Sequence, residues 1–124
     1  MLREIDKINQ PEGDARQRWF TDDFFDLFVW QRGEAIVRFQ LTYAKGADEH
    51  SLIWELDAGY RHDRVDDGEG RAGKHKASPI LQADGLLDGQ AVAERFERAS
   101  ENIDAQVAAF VLEKIRGYGE RSIR

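Results

Sequence analysis

The 124-residue sequence contains no cysteine. This absence excludes a disulfide framework, a thiolate nucleophile, a cysteine-bound zinc ion and an iron–sulfur cluster. The sequence also lacks any apolar run close to the roughly 20 residues that span a membrane. Its N-terminal residues alternate charged with apolar side chains, unlike a secretory leader. We therefore expect a cytoplasmic protein that does not engage a membrane.

Basic residues are in the minority, since 18 Lys and Arg face 24 Asp and Glu, which gives a net charge of -6. A net acidic chain repels the phosphate backbone, and sequence-independent binding of nucleic acid loses its main driving force. Anionic lipid surfaces are disfavoured for the same reason. The charge balance therefore predicts no nucleic-acid partner and no membrane partner.

Aromatic residues are abundant, with 7 Phe, 3 Tyr and 3 Trp. Such a chain collapses around a core rather than remaining disordered. Its length lies within the roughly 50–250 residues of one domain. We expect a single domain over residues 1–124 that is divided into an N-terminal segment 1–23, a sheet region 24–81, a helical region 82–117 and a tail 118–124.

Alternation with a period of two predicts three strands, at residues 24–31, 35–43 and 51–57. The third pattern can continue to His62, with Gly59 at a bulge or bend. These strands form a predicted antiparallel meander of three or four strands over about residues 24–62. Residues 1–10 carry apolar side chains at helical spacing, which predicts one or two helical turns instead.

Apolar residues at spacings of three and four predict helix from about residue 90 to 116. Ser100 is a predicted N-cap that divides this region into helices of about 90–99 and 101–116. Gly117 and Gly119 are typical of a C-terminal stop. The predicted fold is α+β, with the antiparallel meander packed against the C-terminal helices.

An acidic loop follows the last predicted strand, and it offers the ligand types that divalent cations use. Its candidate ligands are His62, Asp63, Asp66, Asp67 and Glu69. The spacing matches neither an EF-hand nor a helical histidine pair. A solvated turn, rich in Asp and Gly, is the more ordinary interpretation.

The sequence shows no catalytic set and predicts no cofactor. None of the three serines lies in a Gly-x-Ser-x-Gly turn. Arg71, Lys74 and Lys76 form one basic patch that can hold an anion or a partner. A solvated, partly self-neutralised loop is the alternative interpretation of this patch.

The aromatic set Trp19, Phe24, Phe28 and Trp30 is a candidate interaction surface. Both sides of the first predicted strand are largely apolar, so its second side needs a cover. The N-terminal segment or a second subunit can supply that cover. The favoured function is therefore a non-enzymatic binding or protein-interaction domain that pairs with itself or with another protein. The alternatives are a metal-binding or metal-assisted hydrolase domain built on the acidic loop, and small-molecule binding between sheet and helices.

Four short segments, at residues 18–20, 26–30, 65–69 and 78–81, together resemble a family of small bacterial proteins with no assigned activity. The resemblance spans most of the chain. It implies a single-domain protein and carries no catalytic or binding residue to this sequence.

Overall fold

In the residues that the computed structural model of the chain describes, a six-stranded antiparallel sheet carries two helices on one face. The structure describes residues 1–6, 10, 13–46, 49–64 and 89–122, with the side chains of the last helix described as far as residue 118. The strands are β1 Arg3–Ile5, β2 Arg16–Thr21, β3 Phe25–Arg32, β4 Ala35–Tyr43, β5 His50–Glu55 and β6 Gly59–Arg64. The helices are α1 Gly89–Ala99 and α2 Ala105–Ser122.

The strands follow one another across the sheet in sequence order, so each pairs with its neighbour along the chain. The predicted α+β class with an antiparallel sheet is confirmed. The predicted count of three or four strands is wrong, because the sheet has six. The additional strands are β1 and β2, on the N-terminal side of the predicted meander, and β6, which is separate from β5.

Within the segment predicted to be helical, Arg3–Ile5 form a strand instead. β1 pairs with β2 through the register Glu4↔Phe20, and the Leu2 amide donates to the Ala99 carbonyl of α1 at 2.8 Å. Leu2 is only 1% exposed as a result. Apolar spacing alone misleads here, because a strand of three residues is too short to show an alternation.

Gly59 separates β5 from β6. Its φ of 83° lies in the left-handed region that glycine adopts without strain. The chain therefore reverses between Glu55 and Gly59, and β6 pairs back on β5 instead of extending it. This hairpin returns His62 to a position directly opposite Leu52.

The core lies between the helices and one face of the sheet, which we call the inner face. The largest fully buried side chains are Phe20, Phe25, Phe39, Phe96, Leu2, Leu27, Leu41, Leu52, Ile115, Val29, Val107 and Val111. Phe96 of α1 meets Phe25 of β3 edge to face at 5.6 Å, and Phe110 of α2 meets Trp54 of β5 at 5.2 Å. Both helices are thus anchored on the sheet by aromatic contacts.

The helix boundaries differ from those predicted at the start and the end of α2. Asp104 caps the helix, because its Oδ1 accepts the Gln106 amide at 2.8 Å. The Ser100 hydroxyl instead donates to the Glu97 carbonyl. Gly117 lies inside α2, where a Cβ would approach the Tyr60 hydroxyl to 3.0 Å. This glycine permits a close contact with β6 and does not end the helix. Neither described helix is long and apolar enough to cross a bilayer.

Candidate functional site

Three partly exposed aromatic rings lie together on the face of the sheet opposite the helices, which we call the outer face. Trp19 of β2 is directly opposite Phe28 of β3, and their rings stack at 5.6 Å with an interplanar angle of 11°. Trp30 continues the series, with its ring 6.3 Å from that of Phe28. We call Trp19, Phe28 and Trp30 the aromatic row. The described helices contact the inner face, so neither of them covers this row.

A polar network holds one end of the aromatic row. The Asp26 carboxylate accepts the Trp19 indole N–H at 3.2 Å and the Thr21 hydroxyl at 2.6 Å. The Lys45 ammonium lies 3.3 Å from the same carboxylate oxygen. These contacts fix the orientation of the indole and neutralise the carboxylate beside it.

The other end of the row is held by a cation. The Arg38 guanidinium lies over the Trp30 ring at 4.9 Å, a cation–π distance. Beside them a groove of about 350 Å³ runs to Leu56, whose side chain is 56% exposed. The groove has a mixed lining that includes Arg32, Glu55 and Asp57, and it links Trp30 to the turn between β5 and β6.

The described residues of the outer face carry charges of both signs. Arg61 and Asp63 form an ion pair at 2.6 Å, and Lys45 pairs with Asp26. Arg38 stands opposite Glu55 in the β4–β5 register. Among the residues that the structure describes, opposite charges are thus interspersed across the face.

The structure brings together three of the four residues of the predicted interaction surface. Phe24 lies apart, because β3 begins at Phe25 and the Asp22 carboxylate accepts the amides of both residues in the preceding turn. The Phe24 ring instead meets Phe25 at 4.8 Å, and the Arg95 guanidinium of α1 covers it at 3.7 Å. Phe24 therefore belongs to the junction between sheet and helix.

The predicted acidic loop is described only at its first two residues. His62 lies on the inner face, whereas Asp63 lies on the outer face and pairs with Arg61. The side chains of adjacent strand residues point to opposite faces, so these two do not converge on one ion. Asp66, Asp67 and Glu69, like the basic residues Arg71, Lys74 and Lys76, lie outside the described residues. Within the described ranges, no group of three or more His, Asp or Glu side chains could hold a metal ion.

His62 belongs to a cluster of rings that sequence analysis missed. Its ring lies 5.3 Å from that of His50, 6.0 Å from that of Tyr43 and 5.7 Å from that of Tyr118. The Tyr43 hydroxyl and His62 Nε2 share a hydrogen bond at 2.8 Å. His50 is 6% exposed. The cluster closes the end of the core where β6 meets α2.

This environment depresses the pKa of His62. Burial, followed by the neighbouring His50, lowers the pKa of His62 from 6.5 to about 4, while Asp63 acts weakly in the opposite direction. A buried imidazole loses the hydration that stabilises its charged form, and a second imidazole nearby adds repulsion once both are protonated. The His62 imidazole is therefore neutral at pH 7.

The free energy of unfolding should consequently fall on acidification over a limited pH range. Because the folded-state pKa is below the unfolded value, His62 takes up its proton more readily in the unfolded chain. The stability it contributes is complete above pH 6.5 and is lost as the pH falls from 6.5 to about 4. Because solvent screens the charge of a partly exposed ring, we expect the free energy of unfolding to fall by only on the order of 1–2 kcal/mol.

Urea unfolding of the wild type and of His62→Gln at a series of pH values checks this expectation. The variant keeps a hydrogen-bonding group for Tyr43 but does not titrate. It should show a flatter stability profile between pH 6.5 and 4 than the wild type. Identical profiles in the two proteins would contradict the assignment.

Between the sheet and α2, aromatic side chains of the core contact one another. Phe39 and Trp54 of the inner face both meet Phe110 of α2, at 6.4 and 5.2 Å. A second groove, of about 590 Å³, runs along the outside of α2 beside Tyr60, among Glu113, Lys114 and Arg116. Its mixed charges contrast with the aromatic row.

No family model matches this chain, and neither does any curated protein or any solved structure. The geometry of the described residues is therefore the basis on which a function can be proposed.

Proposed function

We propose that this chain is a non-enzymatic protein-interaction domain that docks a protein partner on the outer face of its sheet. The observation that carries the proposal is the aromatic row, which places three large rings side by side on a sheet face that neither described helix covers. Contiguous apolar surface that remains partly exposed is often a site of interaction. Tyr, Trp and Phe are also enriched at interfaces relative to the rest of a protein surface.

The row is pre-organised for docking. The Asp26 carboxylate accepts a hydrogen bond from the indole N–H of Trp19, and the Phe28 ring stacks on that indole. The Arg38 guanidinium lies over the Trp30 ring. Side chains that already occupy one orientation lose little conformational entropy when a partner binds. Burial of these rings therefore contributes to affinity with little offsetting cost.

The polar residues around the row also suit an interface. Truncation data on many complexes place the binding energy in a few central aromatic and arginine side chains within a polar rim. Here Trp19, Phe28, Trp30 and Arg38 occupy the centre, while the Lys45–Asp26 pair lies at their edge. The outer face thus has the composition of a protein-binding surface.

The test is the native mass of the chain, isolated gently from the cells that make it. We expect a species heavier than the bare 14.2 kDa chain. Phe28→Gln should weaken that complex by roughly 10- to 100-fold, the effect of removing a central anchor. A bare chain at every concentration would overturn the proposal.

A matched control is available on α2. Leu112→Gln makes a similar change of polarity at a half-buried position beside the groove on the helix side. The complex should survive this substitution, and circular dichroism should show both variants folded. Loss of the complex in Leu112→Gln but not in Phe28→Gln would assign docking to the helix side and overturn the proposal.

A further inference from the structure

Arg38 lies at the end of the aromatic row, on the wall of the groove that runs to Leu56. We infer that its guanidinium binds the carboxylate of an aspartate or glutamate side chain of the partner protein in this groove. The inference rests on the proposed function, because it names the chemistry that a partner of the outer face presents. Three observations support it: the contacts of Arg38, a bulge in β4 and the charges that line the groove.

The first observation is that Arg38 is held by the face of its guanidinium and not by its edge. The group lies over the Trp30 ring at 4.9 Å, and its Nε is buried without a hydrogen-bond partner among the described residues. Glu55 stands opposite in the β4–β5 register, but no described carboxylate lies within ion-pair distance of the guanidinium. A guanidinium carries its N–H donors in its own plane, so stacking on a ring leaves those of the two terminal nitrogens for a ligand.

The second observation is a β-bulge at the same place. The register between β3 and β4 shifts after Trp30, so that β4 has one additional residue, Val37, next to Arg38. The Val37 carbonyl accepts the Leu56 amide at 2.9 Å, and both residues line the groove of about 350 Å³. An additional residue bends its strand and redirects nearby side chains, and such bulges are common beside functional sites. The backbone therefore shapes the groove in which Arg38 lies.

The third observation favours a carboxylate among the anions that arginine binds. Arg32, Glu55 and Asp57 also line the groove, and Arg32 pairs with Asp14 at 3.1 Å. A phosphate group with two negative charges would be repelled by the two carboxylates of the lining and by the net charge of -6. A carboxylate brings one negative charge and accepts two parallel hydrogen bonds from the fork of a guanidinium. It is therefore the anion that this groove binds with least repulsion.

The apolar part of the lining specifies what accompanies the carboxylate. The Trp30 ring lies on one side of the groove, and Leu56, which is 56% exposed, lies on another. Apolar surface of this kind is covered by the stem of a longer side chain or by an apolar neighbour. We therefore expect the partner segment to carry an acidic residue beside an apolar or aromatic one.

Selection from a library of short random peptides, displayed on phage and applied to the purified chain, tests this chemistry. We expect the enriched peptides to carry Asp or Glu beside an apolar residue. Arg38→Gln should weaken the binding of a synthetic peptide of the enriched sequence, measured by calorimetry, by roughly 10- to 100-fold, the effect of losing hydrogen bonds to a charged group. Enrichment of peptides without an acidic residue, or no enrichment at all, would overturn the inference.

Arg95→Gln is the matched control for the loss of one positive charge. Arg95 also covers an aromatic ring, that of Phe24 at 3.7 Å, but it lies at the junction between sheet and helix. This variant should bind the peptide like the wild type, and circular dichroism should show both variants folded. Arg38→Lys keeps the charge and loses the planar fork, so its affinity should lie between those of the wild type and Arg38→Gln. Equal losses in Arg38→Gln and Arg95→Gln would assign the binding to net charge and refute the site.

A variant on the opposite wall tests the sign of the ligand's charge. Glu55→Gln removes a carboxylate that lines the groove opposite Arg38. Binding of the acidic peptide should strengthen by about two- to fivefold, which is the scale of an exposed charge pair. Weaker binding in Glu55→Gln would show that the groove uses its carboxylates to hold a cation, contrary to the inference.

The outcomes also distinguish this inference from the proposed function. If the heavier complex from cells is lost in Phe28→Gln but no acidic peptide is enriched, the carboxylate site is overturned and the outer face still docks a protein. If the chain is bare at every concentration and no peptide is enriched, both proposals fail.

Discussion

Replacing Phe96 by alanine should lower the free energy of unfolding by about 3–5 kcal/mol, the cost of truncating a fully buried phenylalanine. Phe96 is 0% exposed on α1 and meets Phe25 of the inner face edge to face. The adjacent backbone is also anchored on the sheet, because Ala99 accepts the Leu2 amide. The cavity left by the ring therefore cannot close without moving α1. The free energy of unfolding of a small domain is roughly 5–15 kcal/mol, so this loss would be a large fraction of it.

Urea unfolding at fixed protein concentration measures this loss. Phe39→Ala should give a loss of similar size, since Phe39 is 0% exposed and contacts both Trp54 and Phe110. Leu56→Ala is the matched control, because its side chain is 56% exposed and its loss should change stability by under about 0.5 kcal/mol. A Phe96→Ala protein that unfolds at the wild-type urea concentration would refute the packing of α1.

The central strands were predictable because their alternation is long. In β4 the pattern persists over nine residues, and a period of two over that length fits only a strand with one buried face. β1 has three residues, which is too few to distinguish a period of two from one of 3.6. Its formation depends on pairing with β2 and on the contact of Leu2 with α1, and neither is visible in local sequence.

The start of α2 shows a different limit. Ser100 and Asp104 are both residue types that cap helices, so the sequence offers two starting points. Tertiary contacts favour the second, because Arg18 of β2 reaches Asp104 at 3.2 Å and anchors the cap to the sheet. Ser100 is left in the turn between the helices, where it bonds to Glu97.

The aromatic row was largely predictable, and the ring cluster was not. A period of two places Phe28 and Trp30 on one face, whereas Trp19 joins them only through the pairing of β2, a strand that the sequence analysis did not predict. His62 joins His50 only because the chain reverses before Gly59, and an unbroken third strand would have carried it away from the core. The depressed pKa of His62 therefore depends on the turn between β5 and β6.

Arg18 connects three elements, and its removal should have the largest effect on stability after the truncation of Phe96 or Phe39. Its guanidinium, 14% exposed, lies 2.9 Å from Glu4 of β1 and 3.2 Å from Asp104 at the start of α2. It also donates to the Gln31 amide oxygen of β3 at 3.2 Å. Arg18→Met keeps the aliphatic stem but leaves two carboxylates without their cation. We expect a loss of about 2–3 kcal/mol, as for partly buried hydrogen bonds to charged groups.

Arg32→Met is the matched control, since Arg32 pairs with Asp14 at 3.1 Å but both side chains are mostly exposed. That pair should contribute under about 1 kcal/mol. Similar losses of stability in the two variants would show that the Arg18–Asp104 ion pair between β2 and α2 stabilises the fold no more than an exposed ion pair does.

The pH dependence of the stability difference between wild type and Arg18→Met tests whether Arg18 acts through its charge. The Arg18 hydrogen bond lowers the pKa of Glu4 below 4.5, and the Gln106 amide together with Arg18 lowers that of Asp104 below 3.8. Folded-state values below the unfolded ones mean that this stabilisation is present above the unfolded pKa and is lost as pH falls through the folded pKa. The difference between wild type and Arg18→Met should therefore be full at pH 7 and shrink as the two carboxylates become protonated. A difference that stays constant down to acid pH would show that Arg18 acts through the packing of its stem and not through its charge.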